Sequence, residues 1–289
     1  MPGIERGRAA LLPMLAVLAA SGMPLSSPRA ELFTFAERQV QLDMPRGWCR
    51  IDPKKSTDAG FYQHLEAMQQ GRNQIVMVFA DCQQLGAAHS GTLKGFLVTG
   101  AIMIPLQGGS IAPVPSADRA QFAADAAREF GAVDIDKMRG ELRDAFSRAG
   151  AAGIDVDTIK SLGVLKKDEL GIYPGFLMPV PPPSTVKAAM AINALTMINH
   201  LPVSVVITRP ADRAGTVDAM LAEEHEILRG LIAANAGIEA AAPKPAPRAS
   251  GIDWNEALRK GLIGAIIGGA IGALGYAARR LRGEEADQS

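Results

Sequence analysis

The sequence predicts an α+β domain, in which an antiparallel β-sheet is flanked by helices, followed by one C-terminal transmembrane helix. Two observations predict the domain: strand-like apolar runs follow one another as consecutive hairpins, and the amphipathic helical stretches are gathered in blocks. Parallel sheets instead alternate strand and helix along the chain. A third observation predicts the membrane helix, because residues 261–278 form an uncharged stretch close to the end of the chain.

The composition is that of a folded protein without a nucleic-acid partner. Of the 289 residues, 48% are hydrophobic, and 30 Lys and Arg balance 30 Asp and Glu. This hydrophobic content is too high for intrinsic disorder. A chain without a basic excess also lacks the electrostatic footprint of a protein that binds nucleic acid.

The predicted domain, residues 31–235, opens with a hairpin and a helix. Leu32–Phe35 and Val40–Met44 alternate apolar and polar residues, as half-buried strands do. Residues 45–47 turn the chain, and residues 56–58 (Ser-Thr-Asp) are predicted to cap a helix that ends near Gln70. The apolar face of this helix carries Phe61, Leu65 and Met68.

The remaining elements are further strands, one helical block and a final amphipathic helix. The helical block contains two helices that meet at Gly131. In chain order the elements are Ile75–Ala80, Phe96–Ile104, the helical block 117–149, Ile159–Leu165, Ile172–Met178, the hairpin Val186–Ile198 and Val203–Thr208 with its turn at 199–202, and the helix 214–234.

Residues 1–30 have the pattern of a secretory signal peptide. Arg6 and Arg8 precede the apolar run Ala9–Ala20, and small residues suited to cleavage follow it. The alternatives are a buried N-terminal helix and an uncleaved anchor. Export would place the folded domain outside the cytoplasmic membrane.

The predicted transmembrane helix, residues 261–278, has a glycine-rich face. At 1.5 Å per residue it is about 27 Å long, which is the low end of a membrane span. Small residues on one face let two helices approach closely in lipid, so the sequence predicts self-association of this glycine zipper. The alternatives are a flexible tail and a surface hairpin. The glycines on this face are Gly261, Gly264, Gly268, Gly272 and Gly275.

Residues 236–260 are predicted to be an Ala/Pro-rich linker with a juxtamembrane segment, and residues 279–289 a short cytoplasmic tail. Basic residues stand on both sides of the span, so their distribution does not decide the topology. Export of the N-terminus decides it instead. The predicted location is the bacterial cytoplasmic (inner) membrane, crossed once, with the domain in the periplasm.

Residues 40–48 (VQLDMPRGW) resemble the strand-Pro-x-Gly-Trp opening of PsbP-like domains. The hairpin 197–207 and the helix after it are similar to the later half of those domains. The resemblance implies an antiparallel sheet between helices, in a family that is mostly non-catalytic and binds larger assemblies. No site residue of that family is carried over.

Cys49 and Cys82 are the two cysteines of the chain, and we predict that they form a disulfide. An exported domain meets an oxidising compartment, where two thiols normally pair. The alternative is a reactive or metal-binding thiol, but neither cysteine has a neighbouring cysteine or histidine at ligand spacing.

The four histidines, His64, His89, His200 and His225, are predicted to be solvated or turn residues. None has metal-ligand spacing to another, and Arg229 stands where a zinc-protease helix starting at His225 would need its second ligand.

Three short patterns are interpreted as structural. The acidic pairs at 134/136 and 155/157 do not continue into a calcium loop, and acidic residues often cap helices. Ser184 and Lys187 match Ser-x-x-Lys, but that chemistry needs a helix where a strand is predicted. We therefore predict no catalytic residue, no metal and no cofactor.

These features favour a membrane-anchored, non-enzymatic domain of the cell envelope that binds or scaffolds a partner. The predicted partners are the membrane, a second copy through the glycine face, and an envelope protein or ligand that the sequence does not identify. The alternatives are an envelope hydrolase with an unrecognised site and an oligomeric pore or membrane-perturbing protein built on the glycine helix.

Overall fold

The computed structural model describes residues 30–35, 37–93, 97–106, 109–111, 114, 118–131, 135–148, 155–180, 186–211 and 215–241. The predicted signal peptide, most of the predicted linker, the predicted span and the predicted tail lie outside these residues. None of the described helices is long and apolar enough to cross a membrane.

The described part of the chain contains nine strands and five α-helices. The strands are β1 (Glu31–Phe35), β2 (Arg38–Leu42), β3 (Trp48–Arg50), β4 (Asn73–Asp81), β5 (Thr99–Pro105), β6 (Lys160–Lys167), β7 (Ile172–Pro179), β8 (Ala188–Ile198) and β9 (Leu201–Pro210). The helices are α1 (Ser56–Gln69), α2 (Cys82–His89), α3 (Arg119–Gly131), α4 (Ile135–Arg148) and α5 (Thr216–Ala241).

Seven strands form one antiparallel sheet, and β1 and β2 form a separate hairpin. The order in the large sheet is β3-β4-β5-β9-β8-β7-β6, so β3 and β6 are its two edges. All neighbours in this sheet pair antiparallel. The predicted α+β class with an antiparallel sheet and flanking helices is confirmed.

The sheet lies between two layers because alternate residues of each strand point to opposite faces. In β9, Val205 and Ile207 belong to the hydrophobic cluster that contains α5 and β2. Val206, between them, belongs to the cluster that contains α1, α2 and α4. Helix α3 packs on the same side, against Ile172 and neighbouring side chains of β8. One face therefore carries four helices, and the other carries α5 and the β1–β2 hairpin.

The β8–β9 hairpin turns on two residues, whereas the sequence predicted four. Ile198 pairs directly with Leu201, and Asn199 and His200 have φ angles of 49° and 61°. Two consecutive residues with positive φ match the twist of antiparallel strands, and asparagine adopts this conformation more readily than most residues.

One local prediction near the N-terminal helices is wrong, and one helix was not predicted. Residues 56–58 do not cap α1, because Lys55 is the N-cap and it makes no side-chain capping bond. Asp58 is instead fully buried and accepts a hydrogen bond from the Asp52 N–H at 3.1 Å. Cys82–His89 forms α2, a helix that was not predicted from the sequence.

Helix α5 continues to Ala241, beyond the predicted end of the domain at residue 235. Two polar side chains hold the C-terminal part of α5 in place, one on β2 and the other on α3. Asn235 exchanges two hydrogen bonds of 2.8 Å with the backbone of Gln41, and Glu239 pairs with Arg119. The first six residues of the predicted linker are thus part of the helix.

Candidate functional site

The predicted disulfide between Cys49 and Cys82 is confirmed, and it connects edge strand β3 to the start of α2. The carboxylate of Asp81 accepts hydrogen bonds of 3.0 Å from the N–H groups of Gln83 and Gln84 at the start of this helix. Free helix N–H groups would stabilise a Cys82 thiolate, but here a carboxylate occupies them. The geometry therefore favours a structural disulfide over a reactive one.

A group of ionisable side chains lies between α5 and the sheet, where Glu223, Glu224 and His225 follow one another. Glu223 faces the β3 edge. One of its carboxylate oxygens accepts a hydrogen bond from the Trp48 indole N–H at 3.0 Å, and the other accepts one from Arg209 at 2.6 Å. The Arg209 guanidinium also lies 5.7 Å from the centre of the Trp48 ring. This contact fixes α5 to the β3 edge.

Glu224 is completely buried over the centre of the sheet. Its Oε1 accepts a hydrogen bond of 3.1 Å from the backbone N–H of Ile207, and its Oε2 has no partner among the described residues. Burial raises the pKa of Glu224 well above its usual range, and the neighbouring charge of Glu223 adds to the effect. Burial therefore favours the protonated, neutral form of the Glu224 carboxyl at a pH where an exposed glutamate is already ionised.

His225 faces the β6 edge, where three polar groups surround its Nδ1 atom. Nδ1 lies 3.0 Å from Asp168 Oδ2, 2.8 Å from Lys166 Nζ and 3.2 Å from the Tyr173 hydroxyl. A protonated Nδ1 donates to Asp168, whereas an unprotonated Nδ1 accepts from the lysine or the tyrosine. The arrangement can therefore hold the imidazole in either state. The prediction that His225 is solvated is wrong.

Electrostatics keep Asp168 charged and Tyr173 neutral. Partial burial alone would raise the pKa of Asp168, but hydrogen bonds from Lys166 and from the backbone N–H of Leu170 outweigh it and hold the pKa below its usual range. Burial, and then the nearby Asp168 carboxylate, raise the pKa of the Tyr173 hydroxyl. Asp168 thus serves as the anion that pairs with Lys166 and His225.

We call Glu223, Glu224 and His225, with the groups that they contact, the polar bridge. It joins α5 to one sheet edge, to the sheet centre and to the other edge. The polar contacts of these groups are with one another or with backbone atoms of the strands beneath them. Its chemistry is therefore that of a positioning network, which fixes the helix on the sheet.

The other predicted site residues have different surroundings. His89 Nε2 lies 2.7 Å from a carboxylate oxygen of the fully buried Asp58, and His200 lies in the β8–β9 turn as predicted. Asp155 caps a short helical turn through the N–H of Asp157, and Asp157 pairs with Arg139 and Arg143, so this acidic pair is structural. Asp134, Ser184 and the five glycines of the predicted span lie outside the described residues.

An open groove lies along the β6 edge, beside the C-terminal half of α3. It has a volume of about 550 Å³. Its lining combines apolar side chains with polar ones: Ala127, Phe130, Gly131, Ser161, Gly163, Val164 and Lys167. Leu162, on the same strand, is 39% exposed. We call this feature the β6 groove.

Comparison with known protein families and with curated proteins gives no match to this chain. Within the described residues, no group of three or more His, Cys, Asp or Glu side chains is placed to hold a metal ion. The polar bridge was missed in the sequence because its members come from four separate segments. The only available signal was the run Glu223-Glu224-His225 on an otherwise amphipathic helix.

Proposed function

We propose that this chain is an exported, membrane-anchored and non-enzymatic domain of the bacterial cell envelope, which binds or scaffolds a partner. The observation that carries the proposal is the disulfide between Cys49 and Cys82. Structural disulfides persist in oxidising compartments and are rare in the cytosol. The disulfide therefore supports the export that the sequence pattern of residues 1–30 predicts.

Anchoring is the second part of the proposal, and it rests on the sequence of residues 261–278. Helix α5 ends the described part of the chain at Ala241, so the predicted linker and span follow the element that the polar bridge fixes to the sheet. In this arrangement the anchor would hold the domain through α5, the helix that the polar bridge fixes to the sheet. Self-association through the glycine face is part of the same proposal.

The β6 groove is the partner-binding surface in this proposal. Edge strands carry unpaired backbone groups that can pair with an extended peptide, and the groove beside β6 adds apolar contacts for its side chains. The polar bridge, in contrast, has its charged groups paired with one another. The partner that fits is an extended segment of another envelope protein. The relation to PsbP-like domains also remains a proposal, based on residues 40–48 and the hairpin 197–207.

Protease protection on inverted and right-side-out membrane vesicles, combined with thiol alkylation, tests export, topology and the disulfide together. We expect the domain to be cut only from the outer side, and Cys49 and Cys82 to be alkylated only after reduction. Recovery of the intact chain in the soluble fraction after a carbonate wash, with both thiols free, would contradict the proposal.

The glycine face is tested with Gly268→Leu in the full chain. A leucine in the middle of the face separates the two helix backbones, so we expect crosslinked dimer to fall several-fold in membranes. Ile267→Leu, on the opposite side of the helix, is the matched control and should crosslink like the wild type. Equal crosslinking of both variants would argue against the glycine zipper.

A further inference from the structure

A cavity separate from the polar bridge and from the β6 groove lies where three elements meet. These are the start of α3, the β8–β9 turn and the last described turn of α5. The cavity has a volume of about 240 Å³. It is lined by Asp118, Arg119, Met197, Asn199, His200 and Glu239.

Hydrogen bonds fix the wall of this cavity. Arg119 Nη2 donates to both carboxylate oxygens of Glu239 at 2.8 and 3.0 Å, and Arg119 Nε donates to the Met197 carbonyl at 2.9 Å. The backbone N–H of Asn199 donates to the same carboxylate at 2.9 Å. Because the Glu239 carboxylate accepts from both Arg119 Nη2 and the Asn199 N–H, it neutralises Arg119 and holds the hairpin turn in place.

Asn199 provides an acceptor that has no donor. The residue is only 5% exposed, and its side-chain Nδ2 donates to the Gln39 carbonyl at 3.1 Å, which fixes the orientation of the amide. Its Oδ1 is buried and has no hydrogen-bond partner among the described residues. A buried acceptor without a partner costs stability, so a ligand or water that supplies a donor here gains the corresponding energy.

Asp118 adds negative charge to the same cavity. One of its carboxylate oxygens caps α3 by accepting the Gln121 N–H at 2.7 Å, so the positive end of the helix is already compensated. Arg119 and Glu239 neutralise each other. Of these three charged lining groups, Asp118 is therefore the one whose charge the other two do not neutralise. The cavity therefore combines a carboxylate, an amide acceptor and the apolar side chain of Met197.

We propose that this cavity binds a primary aliphatic ammonium group. An ammonium has three donors and no acceptor, so it matches Asn199 Oδ1 and the Asp118 carboxylate. The methylene groups next to the nitrogen pack on Met197. The source is either a small free amine or the lysine side chain of a protein, which share this chemistry.

Calorimetric titration of the full chain in a neutral detergent tests the proposal, with n-butylammonium as the probe. We expect a dissociation constant of about 1 mM, which is typical of a ligand with so few atoms. 1-Butanol has the same carbon chain without the charge, so it should bind much more weakly. Equal binding of butanol, or no heat with either compound as expected for a cavity that holds only water, would overturn the proposal.

A matched pair of variants locates the binding. Asp118→Asn keeps an oxygen to cap α3 but removes the charge, so we expect binding to weaken about fivefold to tenfold. Asp218→Asn makes the same change in the first turn of α5, where Asp218 is exposed, and should bind like the wild type. Equal affinities of both variants for n-butylammonium would overturn the assignment of the site.

The two sources of the ammonium group are separated by a second probe, Nα-acetyl-lysine methylamide. If it binds at least as tightly as n-butylammonium, and Asp118→Asn weakens both, the site accepts a lysine side chain. If only n-butylammonium binds, the site is selective for a small free amine. Loss of both signals in Asn199→Gly, which suits the positive φ of this position, would confirm the role of the amide oxygen.

Discussion

The two edges of the sheet are built differently. The β3 edge is only three residues long, its Trp48 is buried under α5, and the disulfide ties it to α2. The β6 edge is eight residues long, has two register irregularities and carries the exposed Leu162. Long edge strands invite pairing with other chains, and bulges and lysines limit it without preventing it. One edge is thus closed by covalent and buried contacts, and the other remains available.

The largest expected effect comes from removing the disulfide at the closed edge. In the chain-entropy treatment, a crosslink over 33 residues of sequence separation stabilises the fold by about 3.5–4 kcal/mol. We expect the double variant Cys49→Ser/Cys82→Ser to lose this amount in denaturant unfolding. Reduction of the wild-type chain should give the same loss. A much smaller loss in both experiments would show that burial of Trp48 alone keeps the β3 edge closed.

The next effect concerns Glu224, which lies between the two edges. Because burial raises its pKa in the folded state, the folded chain binds more protons than the unfolded one above the ordinary glutamate pKa. Its contribution to stability is complete at acidic pH and is lost as pH rises. Glu224→Gln removes this loss, so the variant should gain on the wild type by on the order of 1 kcal/mol per pH unit between the ordinary glutamate pKa and the raised one.

Unfolding in urea at pH 5, 6 and 7 measures the difference between the two chains. Glu226→Gln, on the exposed side of the same helix, controls for the substitution itself. A constant difference between Glu224→Gln and the wild type over this pH range would contradict the neutral, buried state of Glu224.

A smaller effect is expected at Gly171, in the turn that supports the open edge. A Cβ atom there would lie 2.3 Å from the Leu195 carbonyl oxygen, which belongs to the backbone of β8 and cannot turn away. Gly171→Ala should therefore cost about 1–3 kcal/mol. It should also move Asp168, whose Oδ1 accepts the Gly171 N–H, away from His225. Equilibrium unfolding measures the cost.

Gly86→Ala in α2 is the matched control for Gly171→Ala. A Cβ atom at Gly86 would meet nothing within 4 Å, and alanine favours helix, so this variant should be neutral or more stable by about 0.5–1 kcal/mol. If Gly171→Ala were as stable as the wild type, the β6–β7 turn would accommodate the added methyl group without strain.

The smallest effect on stability is expected at the open edge itself. Leu162→Ser removes a side chain that is already 39% exposed, so stability should change by no more than about 0.5 kcal/mol. Partner binding should fall markedly, because this exposed leucine stands on β6, the edge strand with which the partner would pair. A photo-crosslinking side chain at Ser161 measures binding in cells, as the yield of a discrete adduct.

Leu32→Ser is the control for Leu162→Ser, since Leu32 is 55% exposed on β1, away from the groove. The adduct from position 161 should persist in this variant. An adduct that survives Leu162→Ser as well would show that Leu162 makes no contribution to partner binding.

The sequence predicted most of the elements because their patterns are local. The alternation in 32–44, the apolar face of α1 and the buried runs of β4, β7, β8 and β9 are each readable within a dozen residues. The disulfide was also predictable, since only two cysteines exist and an exported chain oxidises them. Helix α2 was not predicted, because its eight residues are too few to show a clear helical period and it begins directly after a strand, with Asp81 as its cap.

The polar sites could not be predicted, because their members meet only across the sheet. Asp168 and His225 are far apart in sequence, as are Arg119 and Glu239, and no spacing rule connects them. Helix α5 looked complete at residue 234, since the apolar period ends there. Its continuation depends on Asn235 and Glu239 finding partners on β2 and α3.

The sequence by itself determined most of the strands and helices, which cysteines pair and that the sheet is antiparallel. Periodicity and composition act within short segments, so they are visible before the chain folds. The tertiary structure alone decided that α5 packs over β8 and β9, that Glu224 is buried with a raised pKa, and that Asn199 keeps an unpaired oxygen beside a cavity. Those properties depend on desolvation and on partners from distant segments, which exist only once the layers have packed.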